Sequence, residues 1–360
     1  VYTYAEDAFH SFLSTIQQIT KGLKMANQNK RIYYAVQNVA LGGNINGSAN
    51  PSVTEAGGLQ SVGINTTFAL DPTYQLGQLA SYYITEGVPE VEVTLSKIID
   101  GRMPVYLQAC GGASAANKSL AELQNARATL QLSIFADTNI AATGTAQATV
   151  KCTGMYVSSI SYNLTNDGNF TEELTLVGNH KEWSGSAVTT STGIAPVAQR
   201  WAFNKDASTI PASVNQSNSA VLNSASASVS LGRESIFVLG QRTPYHRYAT
   251  FPVEVTSEFQ VLAQNSDGVA ADMVDSGCQQ GATSNLSNET IVLVVCALPA
   301  GVDADGNSEN VISGRKVVTI DLGTQNKLTS VNYSGGDTGG GNATITYSYR
   351  NYNDFKVNWG

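Results

Sequence analysis

Apolar residues along this chain recur at two different periods. Between Ala5 and Ile19 they fall three and four positions apart, at Ala8, Phe9, Phe12, Leu13, Ile16 and Ile19, which predicts one amphipathic helix. From Gln60 onward the spacing becomes two, in short runs cut by turn residues, the pattern of a sandwich or barrel. Val91 to Ile99 is the clearest run, with Val91, Val93 and Leu95 on one face and Glu92, Thr94 and Ser96 on the other. Asp100-Gly101 then predicts a hairpin corner, with Met103 to Gln108, within an apolar run from Pro104 to Ala109, as the returning strand. Further strands are expected at 128–135, 146–157, 158–164 and 170–177, with Asp167-Gly168 turning a second hairpin. Strands resume at 248–262, 290–298, 311–322, 328–333 and 343–349. Leu120 to Leu130 reads as a second short helix.

The organisation that follows has four parts. Residues 1–58 form a helix and a polar, Gly-rich arm that includes Gly42-Gly43-Asn44, and residues 59–183 form the first part of a β core. Residues 184–235, rich in Ser, Ala, Thr and Asn, read as an insertion or extended loop, and 236–360 complete the core. Gly335 to Gly341 reads as a hairpin tip. The expected fold is mainly β: an antiparallel sandwich or barrel with one or two short helices and long hairpin loops.

Composition narrows the function classes. Charged residues are 13% of the 360, well below the roughly 25% of an average soluble domain. Thr, Val, Tyr and Ile suit a half-buried pleated surface, and Asn, Gly and Asp supply its turns. The formal net charge is −8 and no basic cluster stands out, which argues against tight nucleic-acid binding. An acidic wall instead lets a duplex slide past without sticking. Cys110, Cys152, Cys278 and Cys296 are far apart, with no metal-ligand spacing, and read as buried free thiols. No apolar run is long enough to span a bilayer and no secretory signal pattern is present, so the sequence reads as a soluble protein made in a reducing cytoplasm.

Catalytic and ligand motifs fail at identifiable positions. Gly112-Ala-Ser-Ala-Ala-Asn117-Lys118-Ser119 nearly spells a phosphate-binding loop, and Leu132 to Asp137 mimics the partner strand ending in a magnesium ligand. Asn117 stands where the second glycine belongs, and no alternating strand-helix pattern supplies a parallel sheet. Asp303-Ala-Asp305-Gly-Asn307-Ser-Glu309 resembles the start of a calcium loop, but Ser308 and Gly314 occupy the positions of its required Gly and Glu. His10, His180 and His246 are scattered, and no nucleophile elbow occurs. Arg242, Tyr245, His246, Arg247 and Tyr248 form a basic and aromatic cluster around Pro244, suited to a partner subunit. No catalytic group, cofactor or metal is expected.

Three stretches carry a resemblance. They are Gln75-Leu-Gly-Gln78 through Asp100-Gly101, Ile160-Ser-Tyr162 through Gly178-Asn179, and Asn326-Lys-Leu through Tyr347-Ser-Tyr349. Together they resemble bacteriophage tail tube, or major tail, proteins. That resemblance implies a non-enzymatic virion protein of the tail, six copies to a ring, with rings stacked around a lumen through which double-stranded DNA passes without specific binding. Its implied partners are itself and the sheath, baseplate and tail terminator proteins. On this reading Val91, Val93, Leu95, Tyr106, Tyr162, Phe170, Leu174, Arg247 and Tyr347 are the assembly residues, set in strand pairs of the subunit core or lumen wall. Competing readings are a capsid decoration or baseplate protein, a carbohydrate-binding β-sandwich adhesin, and a nucleotide hydrolase dependent on Lys118.

Overall fold

A computed structural model describes residues 32, 34, 37–48, 50–100, 102–135, 146–184, 201–204, 208–215, 221–241, 243–264, 266–269, 273–276, 279–282, 286–297, 317–335 and 341–360. The expected helix at 5–19, Cys278 and the Asp303–Glu309 loop lie outside these residues. In chain order the elements are β1 (Gln37–Asn44), β2 (Thr54–Glu55), β3 (Leu59–Thr67), β4 (Leu70–Tyr74), β5 (Ser81–Glu86), β6 (Glu90–Ile98), α1 (Val105–Cys110), α2 (Leu120–Leu123) and β7 (Arg127–Ile134). Then come β8 (Ala148–Thr165), β9 (Thr171–Gly178), β10 (His180–Ser184), β11 (Trp201–Phe203), α3 (Ala212–Asn215), β12 (Leu222–Ser230), β13 (Arg233–Ile236), β14 (His246–Ala249) and β15 (Glu254–Leu262). The last are β16 (Met273–Ser276), β17 (Gln279–Ala282), β18 (Val292–Ala297), β19 (Val317–Asp321), β20 (Lys327–Ser334), β21 (Thr344–Tyr352) and β22 (Lys356–Trp359). The chain is mainly β, and every described pairing is antiparallel.

Strand β8, 18 residues long, organises the molecule. Its first half pairs with β7 and β10, and its second half with β12 and β9. Register shifts at Ala128/Leu130 on β7 and at Val157/Ser159 on β8 mark the crossing, as expected where a strand bends from one sheet into another. The larger sheet then runs β3-β6-β9-β8-β12-β15-β21-β20. Its inward positions, among them Val93, Leu174, Ile160, Ala227, Phe259 and Tyr347, share one core with Val295, Val318, Ile320 and Val357 of the separate sheet β11-β18-β19-β22. Each such buried Val, Leu, Ile or Phe side chain contributes about 1.5–3 kcal/mol relative to exposure.

The hairpin expected around Asp167-Gly168 is present as β8–β9, with Ile160 opposite Leu174 and Tyr162 opposite Glu172. The hairpin expected at Asp100-Gly101 is not. Strand β6 pairs with β3 and β9, and the segment taken for its partner is helix α1. All six residues of α1 are buried, so no amphipathic period marks it in the sequence. Its first-turn amides are satisfied from a distance: Glu172 on β9 accepts from Val105 N at 2.8 Å and from Tyr106 N at 2.9 Å.

Three other expectations are corrected. Gly42 and Gly43 are not in an arm but in β1, where a β-carbon on Gly43 would lie 1.9 Å from the Ala109 carbonyl oxygen; glycine lets α1 sit directly on the strand. Leu222–Ser230, expected within the polar insertion, is strand β12 between β8 and β15. Helix α2 covers four residues, held by a Ser119–Glu122 capping box, and the chain is already a strand at Arg127.

Candidate assembly surface

The residues expected to mediate assembly lie mostly inside the protomer. Val91, Val93 and Leu95 of β6, Tyr162 of β8, Leu174 of β9, Tyr347 of β21 and Tyr106 of α1 are all buried. Tyr106 meets the Phe355 ring edge-on at 5.9 Å, and Tyr162 stacks on the same ring at 6.4 Å. These side chains build the subunit core. Phe170 is half-buried against the core, and Arg247 reaches the molecular edge described below.

The chemistry in the interior is structural. Glu172, fully buried, also accepts from Tyr162 Oη at 2.9 Å and stands opposite Lys97 in the β6–β9 ladder. Lys97 Nζ donates to the Met103 carbonyl at 2.7 Å and lies 3.5 Å from Asp100 Oδ1. Burial raises the Glu172 pKa despite the Lys97 charge and the three donors, and burial lowers that of Lys97 despite Glu172 and Asp100. With both Glu172 carboxylate oxygens bonded to donors inside the core, this cluster pins α1 to the sheet and is closed to solvent.

The loop resembling a phosphate site lacks that geometry. Asn117 does take a left-handed φ of 58°, but its amide is spent on the Val357 carbonyl at 2.8 Å, and Lys118 pairs with Glu122 at 3.3 Å on the surface. The strand that follows, β7, lies in an antiparallel sheet. Among the described residues no group of three or more His, Cys, Asp or Glu side chains is placed to hold a metal ion. No described helix is long and apolar enough to cross a membrane. Cys110, Cys152 and Cys296 are buried and unbridged, and burial pushes the Cys110 thiol up to about 12.

Hairpin β4–β5 is the conspicuous surface feature. Every residue from 67 to 86 is exposed, including Phe68, Leu70, Tyr74, Leu76, Leu79, Tyr82, Tyr83 and Ile84. The hairpin forms a two-stranded sheet of its own, closed at its root by the Gly87 amide on the Ala69 carbonyl at 2.7 Å. A second hairpin, β13–β14, exposes Phe237, Leu239 and Tyr245 beyond its strands. The two tips have the same chemistry. Gln75-Leu76-Gly77-Gln78 and Val238-Leu239-Gly240-Gln241 each close with an amide-to-carbonyl bond of 3.2 Å, and the Gly has a φ of 88° in one and 94° in the other. Each turn requires that Gly and holds the preceding Leu out in solvent.

Both hairpins rise from the same end of the large sheet. The β3–β6 ladder ends at Thr67 opposite Glu90, β6 meets Gly178 of β9 at Val91, and β12 ends at Ser230 beside β15 at Glu254. Arg247, nearly buried, ties the two roots together: Nη1 meets Glu90 Oε1 at 3.0 Å and Nε donates to Asn179 Oδ1 at 3.3 Å, while Asn179 Nδ2 donates to the Pro89 carbonyl at 2.7 Å. Arg233 anchors β13 through the Val157 and Gln124 carbonyls, each at 2.7 Å. The sequence cluster around Pro244 thus supplies a root bracket through Arg247, and Arg242 lies outside the described residues. The repeated Leu-Gly-Gln was the signal available in the sequence for the tips themselves.

The outward face of the large sheet has the opposite character. Ser161, Asn163, Glu173, Ser224, Ser226, Ser228, Glu258 and Gln260 line a shallow polar trough on it. Ser228 Oγ and Thr256 Oγ1 bond at 2.7 Å across the strands, and Arg350 meets Glu254 at 2.9 Å near one margin. Glu92, Glu173 and Glu258 are exposed on this face without a described cationic partner. No known protein-family model matches the chain, and no curated protein matches its sequence.

Proposed function

We propose that the chain is a structural subunit that assembles with copies of itself, in the manner of a phage tail tube protein. The observation that carries this reading is hairpin β4–β5. An isolated two-stranded hairpin is marginal in water, and an exposed apolar patch larger than a few hundred Å² marks an interaction site. Its four aromatics, about two-thirds exposed, offer on the order of 500 Å² at roughly 150–250 Å² per ring when buried. Together with Leu70, Leu76, Leu79 and Ile84 the hairpin approaches the ~800 Å² per partner of a standard protein interface.

The polar sheet face supports the same reading. Its exposed hydroxyls and carboxylates repel the phosphates of a duplex and supply no basic stripe to hold it. In a ring of copies this face lines the lumen, and DNA moves along it without a specific hold. The spent amide of Asn117 disfavours the nucleotide hydrolase. On the resemblance, the proposal extends to a virion tail, with sheath, baseplate and terminator proteins as partners.

Negative-stain electron microscopy of the purified protein tests this proposal. Rings or hollow tubes of uniform diameter, with a lumen that admits a duplex, are expected. A dispersed monomer at high concentration would contradict it.

A further inference from the structure

At the end of the large sheet opposite the hairpins, the core is open. A pocket of about 270 Å³ is walled by Leu164, Phe170, Phe203, Ile210, Leu222 and Ala225. Leu164 and Ala225 are buried at its floor, while Phe170, Phe203, Ile210 and Leu222 are half-buried around it. Asn166 and Asn223 bond across the rim at 3.3 Å. The volume falls just below the roughly 300–1,000 Å³ of small-molecule sites, and no charged side chain is among the lining residues. A pocket of this size and polarity fits one or two aliphatic side chains.

Its position is set by β8. Tyr156 of that strand lies beside Val177 at the hairpin end, whereas Thr165 lies beside Ser224 at the pocket end. Nine residues of strand separate them, about 30 Å at 3.3 Å per residue. Protruding apolar knobs and an apolar socket therefore occupy opposite ends of one subunit. An isologous dimer pairs like with like; a knob at one end and a socket at the other generate a head-to-tail series.

We propose that this pocket receives the Leu76–Leu79 tip of a second copy of the chain, so that subunits join end to end. The inference rests on the self-assembly reading above and gives it a direction and a site. Hairpin β4–β5 is the donor because Leu76 and Leu79 both project fully from its tip, whereas β13 of the other hairpin is braced to the subunit by Arg233. Burying the two leucines in the pocket removes water from both surfaces at once. The Asn166–Asn223 rim faces polar atoms of the incoming turn.

Complementation between two variants tests the inference in the full chain. Leu76→Asp/Leu79→Asp removes the knob and leaves the pocket; Leu222→Trp fills the pocket and leaves the knob. In sedimentation velocity each variant alone is expected to keep one mass at all concentrations, and their equimolar mixture to reach twice that mass. A second test is independent of any packing defect at Leu222: on mild oxidation, Leu76→Cys mixed with Leu222→Cys is expected to form an intermolecular disulfide that neither variant forms alone. Growth of Leu222→Trp like the wild type, together with no disulfide in the cysteine mixture, would overturn the pocket while leaving self-assembly intact. Loss of growth with Leu239→Asp but not with Leu76→Asp/Leu79→Asp would overturn the choice of hairpin. A wild-type protein that stays monomeric would remove the assembly reading and the pocket with it. Flotation of that monomer with phosphatidylcholine vesicles, abolished by Leu76→Asp, would assign the knob to a bilayer instead.

Discussion

Hairpins β8–β9 and β4–β5 share one connectivity and occupy opposite extremes of burial. In β8–β9 both outer edges continue into further strands, and alternate side chains enter the core. In β4–β5 neither strand has a described neighbour beyond the other, and every side chain is exposed. The first hairpin is a constituent of the subunit's core; the second contributes no buried side chain to it and exposes eight large apolar residues. On the proposed reading, stability and assembly are carried by different residues, and substitutions should separate them.

The largest effect is expected at the buried cap. Glu172→Ala leaves Lys97 buried beside an emptied site and the first turn of α1 without acceptors, at a cost of about 3–5 kcal/mol. Chemical denaturation should show that loss, and a cost under about 1 kcal/mol would mean that α1 is held by packing alone. Val93→Pro comes next: it removes a ladder bond from a strand paired on both edges, and it should lower the thermal midpoint clearly, by less than Glu172→Ala does. By contrast, Leu76→Asp/Leu79→Asp should leave monomer stability within about 0.5 kcal/mol while abolishing self-association, which divides the two hairpins by function.

The smallest effect concerns the root of β13–β14. His246 bonds Asn125 Oδ1 at 3.1 Å and Tyr156 Oη at 3.3 Å, and partial burial followed by the Arg127 and Arg233 charges holds its pKa below the usual histidine range. The folded form thus binds the proton less readily than the unfolded chain. Its stabilising contribution is complete above the ordinary value of about 6.5 and fades as pH falls through the lowered one. Melting temperature should therefore drop slightly on acidification through that window, and His246→Gln should flatten the slope; an unchanged slope would place the titration elsewhere. Lys118→Ala, at an exposed ion pair, should alter neither stability nor assembly, and any nucleotide turnover lost with it would revive the enzymatic reading.

Much of the β architecture was legible in the sequence where the two faces of a strand differ in polarity, as in Val91-Glu92-Val93-Thr94-Leu95. Strand β12 was missed because its inward residues are Ala225, Ala227 and Val229 against outward Ser224, Ser226 and Ser228. The period of two is present, but small residues give it little hydrophobic contrast. Helix α1 was misread because burial on all sides erases the helical period, and its cap comes from Glu172, far along the chain. Glycine in β1 signalled a loop when it marked the close approach of a helix backbone. Val91, Val93 and Leu95 alternate because they face the core, which is where the structure places them. The surface that distinguishes the molecule lies in two turns, where the shared Leu-Gly-Gln is short enough to pass as chance.

Sedimentation velocity of the wild type and of Leu76→Asp/Leu79→Asp, each over a range of concentrations, tests the central claim most directly. The account predicts concentration-dependent growth of the wild type and a stable, fully folded monomer for the variant. Equal sedimentation of the two proteins would contradict it, because the exposed hairpin would then have no part in assembly.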